Sequence, residues 1–288
     1  MGQGRWHLAM LGALVSGGCD EAARLEARVA PAVTVAVSGA PAGSVEASGP
    51  SSVASAAGSP AVSSPAGSSP AGTLPAVAPP PDGRQPILPM AEDAPARRYG
   101  AMSTQRCRAA VEARGLPVIA ASAAQVRQPM RLRGPLSGVE VILPPAPSPF
   151  GVMDCRLVVA LDDVARWLAG HGVVAIRADN THRPDAMMKS GEPSQHALGM
   201  AIDIMAFERR DGTVVPVLGT WSAQVGEAPC GPTSRAAVTP DERWLRGIVC
   251  MLARRHAFHH MLTPNTDAAH RDHLHFDLDA TSTSLFLR

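Results

Sequence analysis

The segments SQHALGMAID (residues 194–203) and HRDHLHFD (residues 270–277) decide the fold of this chain. Each looks strand-like around its polar residues, because Asp203 lies between Ile202 and Ile204 and His275 lies between Leu274 and Phe276. Side chains two positions apart in a strand share a face, so His273 and His275 point the same way. Asp203 lies on the polar face of its own strand for the same reason. Two neighbouring strands would therefore bring Asp203 close to His275.

These segments also predict a metal site. His, Asp and His form the ligand set with which a catalytic zinc ion keeps one position free for water. Asp203 and His275 come from the two strands, and His196 reaches in from the loop before the first strand. An H-x-H pair alone is weak evidence for a metal, but the combination is much more specific. Gly199 and Ala201 are small, as expected where the backbone passes close to another group.

The motif S-x-H-x-x-G-x-A-x-D followed by H-x-H resembles the zinc peptidases of the D-Ala-D-Ala carboxypeptidase and murein endopeptidase group. Hedgehog signalling domains share that fold. The wording SQHALGMAIDIMAF...DG and TPNTDAAHRDHLHFDLD is closer still to the extensin-like C-terminal domain family of bacteria. The resemblance implies that His196, Asp203 and His275 bind zinc. It also implies that His273 takes the place of the catalytic histidine and His270 that of a further active-site histidine.

The segment Thr181-His182-Arg183-Pro184 resembles the S-x-Y-R-P segment of the same peptidases. The arginine of that segment faces the substrate or the developing oxyanion, which implies a catalytic role for Arg183. The match is partial, because His182 stands where those peptidases have tyrosine. An Arg-Pro pair is also ordinary turn chemistry, so a purely structural role for Arg183 stays open.

The implied function is an exported zinc-dependent carboxypeptidase or endopeptidase that acts on peptidoglycan stem peptides. His273 would be the general base, and Asp272 is an alternative base on the opposite side of a regular strand. Asp277 and Asp279 alternate with His275, and either orient a ligand histidine or are solvated acids at a strand end. The alternative function is a non-catalytic, zinc-stabilised cell-wall-binding module, since Hedgehog domains keep zinc without evident peptidase activity.

Composition divides the chain into three parts. Residues 1–19 resemble a signal peptide of lipoprotein type, with a short apolar run and small residues before Cys19, although Ser16 stands where leucine is usual. Residues 20–98 are rich in Ala, Pro, Ser and Gly, and we expect a disordered tether there. Residues 99–288 form the predicted zinc peptidase-type domain.

The cysteine count fits export. Five cysteines are present, and four remain if Cys19 carries lipid. Four cysteines allow three pairings, among which the sequence alone does not choose. We favour Cys107–Cys155 and Cys230–Cys250, because each pair would tie a loop or helix to a near neighbour. Buried free thiols are the alternative.

Charge and composition limit the partners. The formal net charge is +1, no Lys/Arg run stands out, and the chain has one tyrosine, which argues against a nucleic-acid partner. The predicted partners are peptidoglycan peptides and a membrane, reached through lipid on Cys19. We therefore expect a monomer in the cell envelope, in the periplasm or at the outer surface.

The predicted fold is α+β, with helices flanking a mostly antiparallel sheet that carries the zinc site. Helix starts are predicted at Ser103, Asp154 and Thr239, each of which can cap a helix. Strands are predicted at 139–143, 173–178, 199–207 and 213–218, and around His273 and His275. His256, His259 and His260 are expected at a helix end and are not assigned to the metal.

The anchoring hypothesis predicts that Cys19→Ser abolishes lipid labelling and releases the full-length protein from membranes, because Cys19 is the predicted acceptor. Metabolic labelling with a fatty acid and membrane fractionation measure both effects. Unchanged membrane association of Cys19→Ser would contradict the hypothesis.

Overall fold

The computed structural model of the protein describes residues 88–288. The predicted signal peptide and most of the predicted tether lie outside the described residues. Among the described residues, a strand at Leu88–Pro89 and a helix that begins at Pro95 both precede residue 99, where the domain was predicted to start.

The described part contains helices and strands in an α+β arrangement, as predicted. The helices are α1 (Pro95–Gly100), α2 (Thr104–Ala113), α3 (Cys155–Ala169) and α4 (Pro240–Arg254), with short 3₁₀ helices at Pro149–Gly151 and Ala268–His270. The strands are β1 (Leu88–Pro89), β2 (Val118–Ala120), β3 (Pro129–Leu132), β4 (Glu140–Ile142), β5 (Met153–Asp154), β6 (Val173–Asn180), β7 (Ala201–Arg209), β8 (Val214–Pro216), β9 (His260–Leu262), β10 (Leu274–Asp277) and β11 (Ser284–Leu287).

The three predicted helix starts are confirmed by their capping hydrogen bonds. The side chains of Ser103, Asp154 and Thr239 each accept a hydrogen bond from a backbone N–H in the first turn of α2, α3 and α4. Such caps satisfy backbone donors that have no partner within the helix. None of the helices in residues 88–288 is long and apolar enough to cross a membrane.

The large sheet is mixed, so the expectation of a mostly antiparallel sheet is corrected. Its strand order is β1-β11-β9-β10-β7-β6-β4, with β8 paired to β7, and β2-β3-β5 form a second, smaller sheet. Two pairings of the large sheet are parallel, β4 with β6 and β9 with β11. Parallel neighbours need a crossover connection. Helix α3 lies in the chain between β4 and β6, and β10 lies between β9 and β11.

The core lies beneath the sheet face that is opposite the histidines. Phe276 and Leu274 of β10 are fully buried, and Phe258 stacks on Phe276 with ring centroids 5.2 Å apart. Burying a side chain of this size contributes about 1.5–3 kcal/mol. This apolar face fixes which way β10 presents its alternate residues, and it therefore directs His275 to the other face.

Both favoured disulfides are present. Cys107 of α2 is bonded to Cys155, the first residue of α3. Cys230 is bonded to Cys250 of α4, which ties the loop before that helix to the helix itself.

Stability measurements can rank the two disulfides. Each bond restricts the unfolded chain, and the restriction grows with the sequence separation, which is 48 residues for Cys107–Cys155 and 20 for Cys230–Cys250. Replacing Cys107 and Cys155 together by Ala should lower the free energy of unfolding by about 4 kcal/mol, against about 3 kcal/mol for the other pair. Urea unfolding of the full-length protein measures both values. A loss below about 1 kcal/mol for either pair would contradict this account.

Candidate metal centre

The pairing of β7 with β10 positions two of the predicted ligands. In this antiparallel pair His275 lies directly opposite Asp203, and the flanking pairs are Leu274 with Ile204 and Phe276 with Ile202. Directly opposed residues in such a pair have Cβ atoms about 4.5–5.5 Å apart. The register therefore brings a carboxylate and an imidazole together on the face opposite the core.

The loop before β7 brings in the third predicted ligand. The loop ends at Gly199, which has φ of +64°, a conformation that other residues rarely adopt. The backbone carbonyl of Gly199 accepts a 2.8 Å hydrogen bond from the N–H of Asp154. A Cβ atom at position 199 would lie 2.9 Å from that nitrogen. The requirement for a small residue at Gly199 is thus confirmed, and the loop docks against the start of α3 with His196 facing the sheet.

Three ligand atoms converge from these elements. His196 Nε2, Asp203 Oδ1 and His275 Nδ1 lie 3.0 Å from one another in each of the three pairs. The three side chains are 0%, 5% and 11% exposed. A tetrahedral zinc ion with bonds of about 2.0–2.1 Å holds its ligand atoms about 3.3 Å apart, close to this spacing.

His196, Asp203 and His275 each make a hydrogen bond on the side away from the cluster, and these bonds orient their remaining ligand atoms towards one point. His196 Nδ1 donates to the backbone carbonyl of Thr181 at 3.3 Å, and His275 Nε2 donates to Asp277 Oδ2 at 3.1 Å. The amide of Asn180 donates to the other oxygen of Asp203 at 2.9 Å. With these donors used elsewhere, neutral His196 and His275 and ionised Asp203 would all direct lone pairs inward, and a cation, either a proton or a metal ion, would relieve their repulsion. The donor set therefore fits a zinc ion.

The electrostatics of the site also favour a positive charge. Burial alone would lower the pKa of His275, but hydrogen bonds to Asp203 and Asp277 outweigh it and raise that pKa to about 9. Burial raises the pKa of Asp203, but the hydrogen bonds from His196 and His275 bring it well below its usual range. Burial lowers the pKa of His196 despite the nearby carboxylate. A proton on His275 supplies the positive charge when no metal is bound, and a metal ion would displace that proton.

The two further histidines predicted for the site lie at its rim. His273 Nε2 is 3.7 Å from Asp203 Oδ1, and the side chain is 17% exposed. His273 does not belong to the group whose ligand atoms all lie within 4.8 Å of one another. The ring of His270 lies 5.2 Å from that of His273. The structure thus brings both histidines beside the three predicted ligands but leaves them outside the group whose ligand atoms converge.

Each rim histidine is held by its own carboxylate. Asp272 accepts a 2.9 Å hydrogen bond from His273 Nδ1, and Asp267 accepts one of 2.8 Å from His270 Nδ1. In the neutral form of either histidine, Nδ1 then carries the proton and Nε2 is the nitrogen that can accept one. The hydrogen bond from His273 lowers the pKa of Asp272. This geometry favours an orienting role for Asp272, which holds His273, and argues against Asp272 as the base.

Arg183 stands at the opening of the site. Its guanidinium lies 3.9 Å from Asp203 Oδ2, and its side chain is 48% exposed. The backbone N–H of Arg183 donates to the backbone carbonyl of His196 at 3.1 Å. This hydrogen bond helps to fix the loop that carries His196. The neighbouring His182 is buried. The position allows both the catalytic and the structural role that the sequence left open.

Several residues around the site were not identified from the sequence. Asn180 supports Asp203 from its register position opposite that residue on β6. His260 was expected at a helix end, but it opens β9, and its Nδ1 donates to Asp277 Oδ1 at 2.7 Å. Of the two acids that alternate with His275, Asp277 contacts that histidine, whereas Asp279 accepts hydrogen bonds from residue 281. The i+2 spacing from His275 pointed to Asp277, but only the strand register identifies Asn180 and His260.

Comparison with known proteins identifies the family. Residues 105–286 match the family described as extensin-like protein C-terminus, and the chain belongs to this family. Comparison with curated proteins finds no match, and comparison with solved structures finds none either.

Metal titration tests the centre directly. The full-length protein should bind about one zinc ion per chain. His275→Ala should weaken binding by more than the 10–100-fold that is typical when an outer-shell partner is lost, because it removes one of three ligands. Competition with a chelating dye measures the affinity. His171→Ala is the matched control, since within residues 88–288 the side chain of His171 hydrogen-bonds to the backbone carbonyl of Trp167 near the end of α3. Full zinc retention by His275→Ala would mean that the ligand set is wrong.

Proposed function

We propose that this extensin-like domain is a zinc-dependent peptidase that cleaves peptidoglycan stem peptides, as a carboxypeptidase or an endopeptidase, in the cell envelope. The observation that carries the proposal is a buried His196–Asp203–His275 cluster with a carboxylate-held histidine, His273, on its rim. The same arrangement supports placing the domain in the wider fold group of D-Ala-D-Ala carboxypeptidases, murein endopeptidases and Hedgehog domains.

The proposed chemistry divides between the metal and the chain. When bound, zinc would supply Lewis acidity that polarises a peptide carbonyl and makes water more acidic. His273 Nε2 would take a proton from the attacking water and pass it to the departing amine, while Asp272 holds the Nδ1–H side of the ring. The Arg183 guanidinium is near enough to the cluster to stabilise negative charge that develops on the carbonyl oxygen.

The ligand count supports a catalytic rather than a structural metal. Structural zinc sites usually have four protein ligands, whereas catalytic sites have three and an open position. Within residues 88–288 the converging group consists of His196, Asp203 and His275. Exposure rises from 0% at His196 to 17% at His273 and 48% at Arg183, so the side of the cluster that faces these last two is the one open to a substrate.

The substrate class and location rest on the sequence motifs and on the cysteines. The two motifs resemble those of peptidases that cut peptidoglycan, and this supports stem peptides as the substrate. Two disulfides fit an oxidising compartment outside the cytoplasm. Lipid on Cys19 and the tether predicted for residues 20–98 would let the domain reach the wall from a membrane.

A non-catalytic, zinc-stabilised wall-binding module is the second candidate. The nearly complete burial of His196 and Asp203 favours it, because enclosed ligands are typical of metals that stabilise a fold. The two functions differ in what they require of His273, which lies outside the ligand group.

Removal of His273 separates the two candidates. His273→Ala should retain zinc and thermal stability but lose about 10²–10⁴-fold in cleavage of purified muropeptides, the usual contribution of a general acid–base group. Mass spectrometry of the products gives the rate and the bond that is cut. The chelator-treated protein and His171→Ala serve as controls for inactive and active protein.

Two outcomes would contradict the peptidase proposal. The first is the absence of zinc-dependent cleavage by the parent protein, which is what a wall-binding module would show. Loss of zinc from His273→Ala would make His273 a fourth ligand and would indicate a closed, structural site.

A further inference from the structure

His260 occupies a fixed place in the sheet behind the candidate metal centre. On β9 its register partners are Asp277 on β10 and Phe286 on β11. The ring of Phe286 lies edge-on to that of His260, with centroids 6.1 Å apart. Strand pairing on one side and an aromatic ring on the other limit the rotamers that the imidazole can adopt.

A chain of hydrogen bonds runs from His260 to a proposed ligand. His260 Nδ1 donates to Asp277 Oδ1 at 2.7 Å, and His275 Nε2 donates to Asp277 Oδ2 at 3.1 Å. Each carboxylate oxygen thus receives one imidazole N–H. Asp277 is buried, with a side chain only 7% exposed, whereas His260 is 32% exposed. The chain therefore links a partly exposed imidazole to the metal-facing His275 through a buried carboxylate.

The three proposed ligands differ in how firmly they are oriented. The backbone carbonyl of Thr181 orients His196, and the main chain fixes its position. Asn180 orients Asp203 from an adjacent strand. His275 depends on the carboxylate of Asp277, which, like the amide of Asn180, can rotate about its side-chain bonds, and whose second oxygen accepts a hydrogen bond from His260.

We propose that His260 is a positioning residue for the metal centre: by fixing the carboxylate of Asp277, it holds His275 with Nδ1 directed at the metal. The inference rests on the proposed zinc centre and adds to it a residue outside both sequence motifs. Outer-shell carboxylates that bind a ligand histidine fix its tautomer and ring orientation. Without His260, Oδ1 of Asp277 loses its donor in a buried environment, and the carboxylate is free to turn away from His275 Nε2.

The chemistry of the pair provides a rescue variant. The amide nitrogen of asparagine occupies nearly the position of histidine Nδ1, so His260→Asn keeps a donor for Asp277. His260→Leu places an apolar side chain of similar size against Phe286 and removes the N–H that donates to Asp277. We expect zinc affinity to fall about tenfold in His260→Leu, at the lower end of the range for outer-shell partners, and to recover to within about threefold of the parent in His260→Asn.

The experiment uses the full-length protein with its disulfides intact. Zinc affinity is measured by competition with a chelating dye for the parent, His260→Leu, His260→Asn and the control His171→Leu. Nitrogen-15 NMR of the imidazoles in the metal-free protein reports whether His275 carries its proton on Nε2 with Nδ1 free. The spectra are recorded at a pH where the ring of His275 is neutral. The parent should then show the Nε2–H tautomer, and His260→Leu should show a mixture of the Nε2–H and Nδ1–H tautomers. A purely structural role of His260 would not change the tautomer. Thermal unfolding confirms that each variant is folded.

The outcomes distinguish this inference from the metal centre itself. Parent-like affinity and tautomer in a folded His260→Leu would overturn the role of His260 while leaving the centre intact. Equal losses in His260→Leu and His260→Asn would also overturn it, because the hydrogen bond would then not be the cause. A parent protein that binds no zinc would overturn both proposals. We expect zinc affinity to fall in His260→Leu, to recover in His260→Asn and to stay unchanged in His171→Leu.

Discussion

The register between β7 and β10 is the constraint on which the rest of the site depends. It sets Asp203 opposite His275 and, on the other face, packs Phe276 and Ile202 into the core. A shift of one residue would turn the histidine into the core and expose the apolar side chains, so burial of that apolar face strongly specifies a single register. The same hydrophobic burial that stabilises the sheet therefore aligns the polar residues of the candidate metal centre.

The remaining groups are placed by elements that pack on this pair of strands. The carbonyl of Gly199 binds the start of α3, and this contact brings His196 over the sheet. The first residue of α3, Cys155, is also disulfide-bonded to α2. On the other side, β9 extends the sheet and brings His260 against Asp277. His196, Asp203 and Asp277 thus each have a hydrogen-bond partner outside their own element, which offsets the cost of burying these polar groups.

Much of this arrangement could be predicted from the sequence, because the signals are local. Capping residues located the three longer helices, and the apolar residues on both sides of Asp203 and His275 indicated their strands. Short strands such as β9 and β11 have too few residues to show a period and were not predicted. The sheet was expected to be mostly antiparallel, but β4 and β6 are parallel, and the helix α3 between them in the chain provides the crossover that a parallel pair needs. The roles of Asn180 and His260 depend on which strands become neighbours, and that information lies in the tertiary structure.

The central claim is that three lone pairs, from His196 Nε2, Asp203 Oδ1 and His275 Nδ1, define one metal position. Anomalous diffraction at the zinc absorption edge from crystals of the zinc-loaded protein tests it most directly. The account predicts one strong peak about 2.0–2.2 Å from all three atoms, with His275 bound through Nδ1 and its Nε2 still facing Asp277. A peak bound through His270 and His273 instead, or no ordered peak at this cluster, would contradict it.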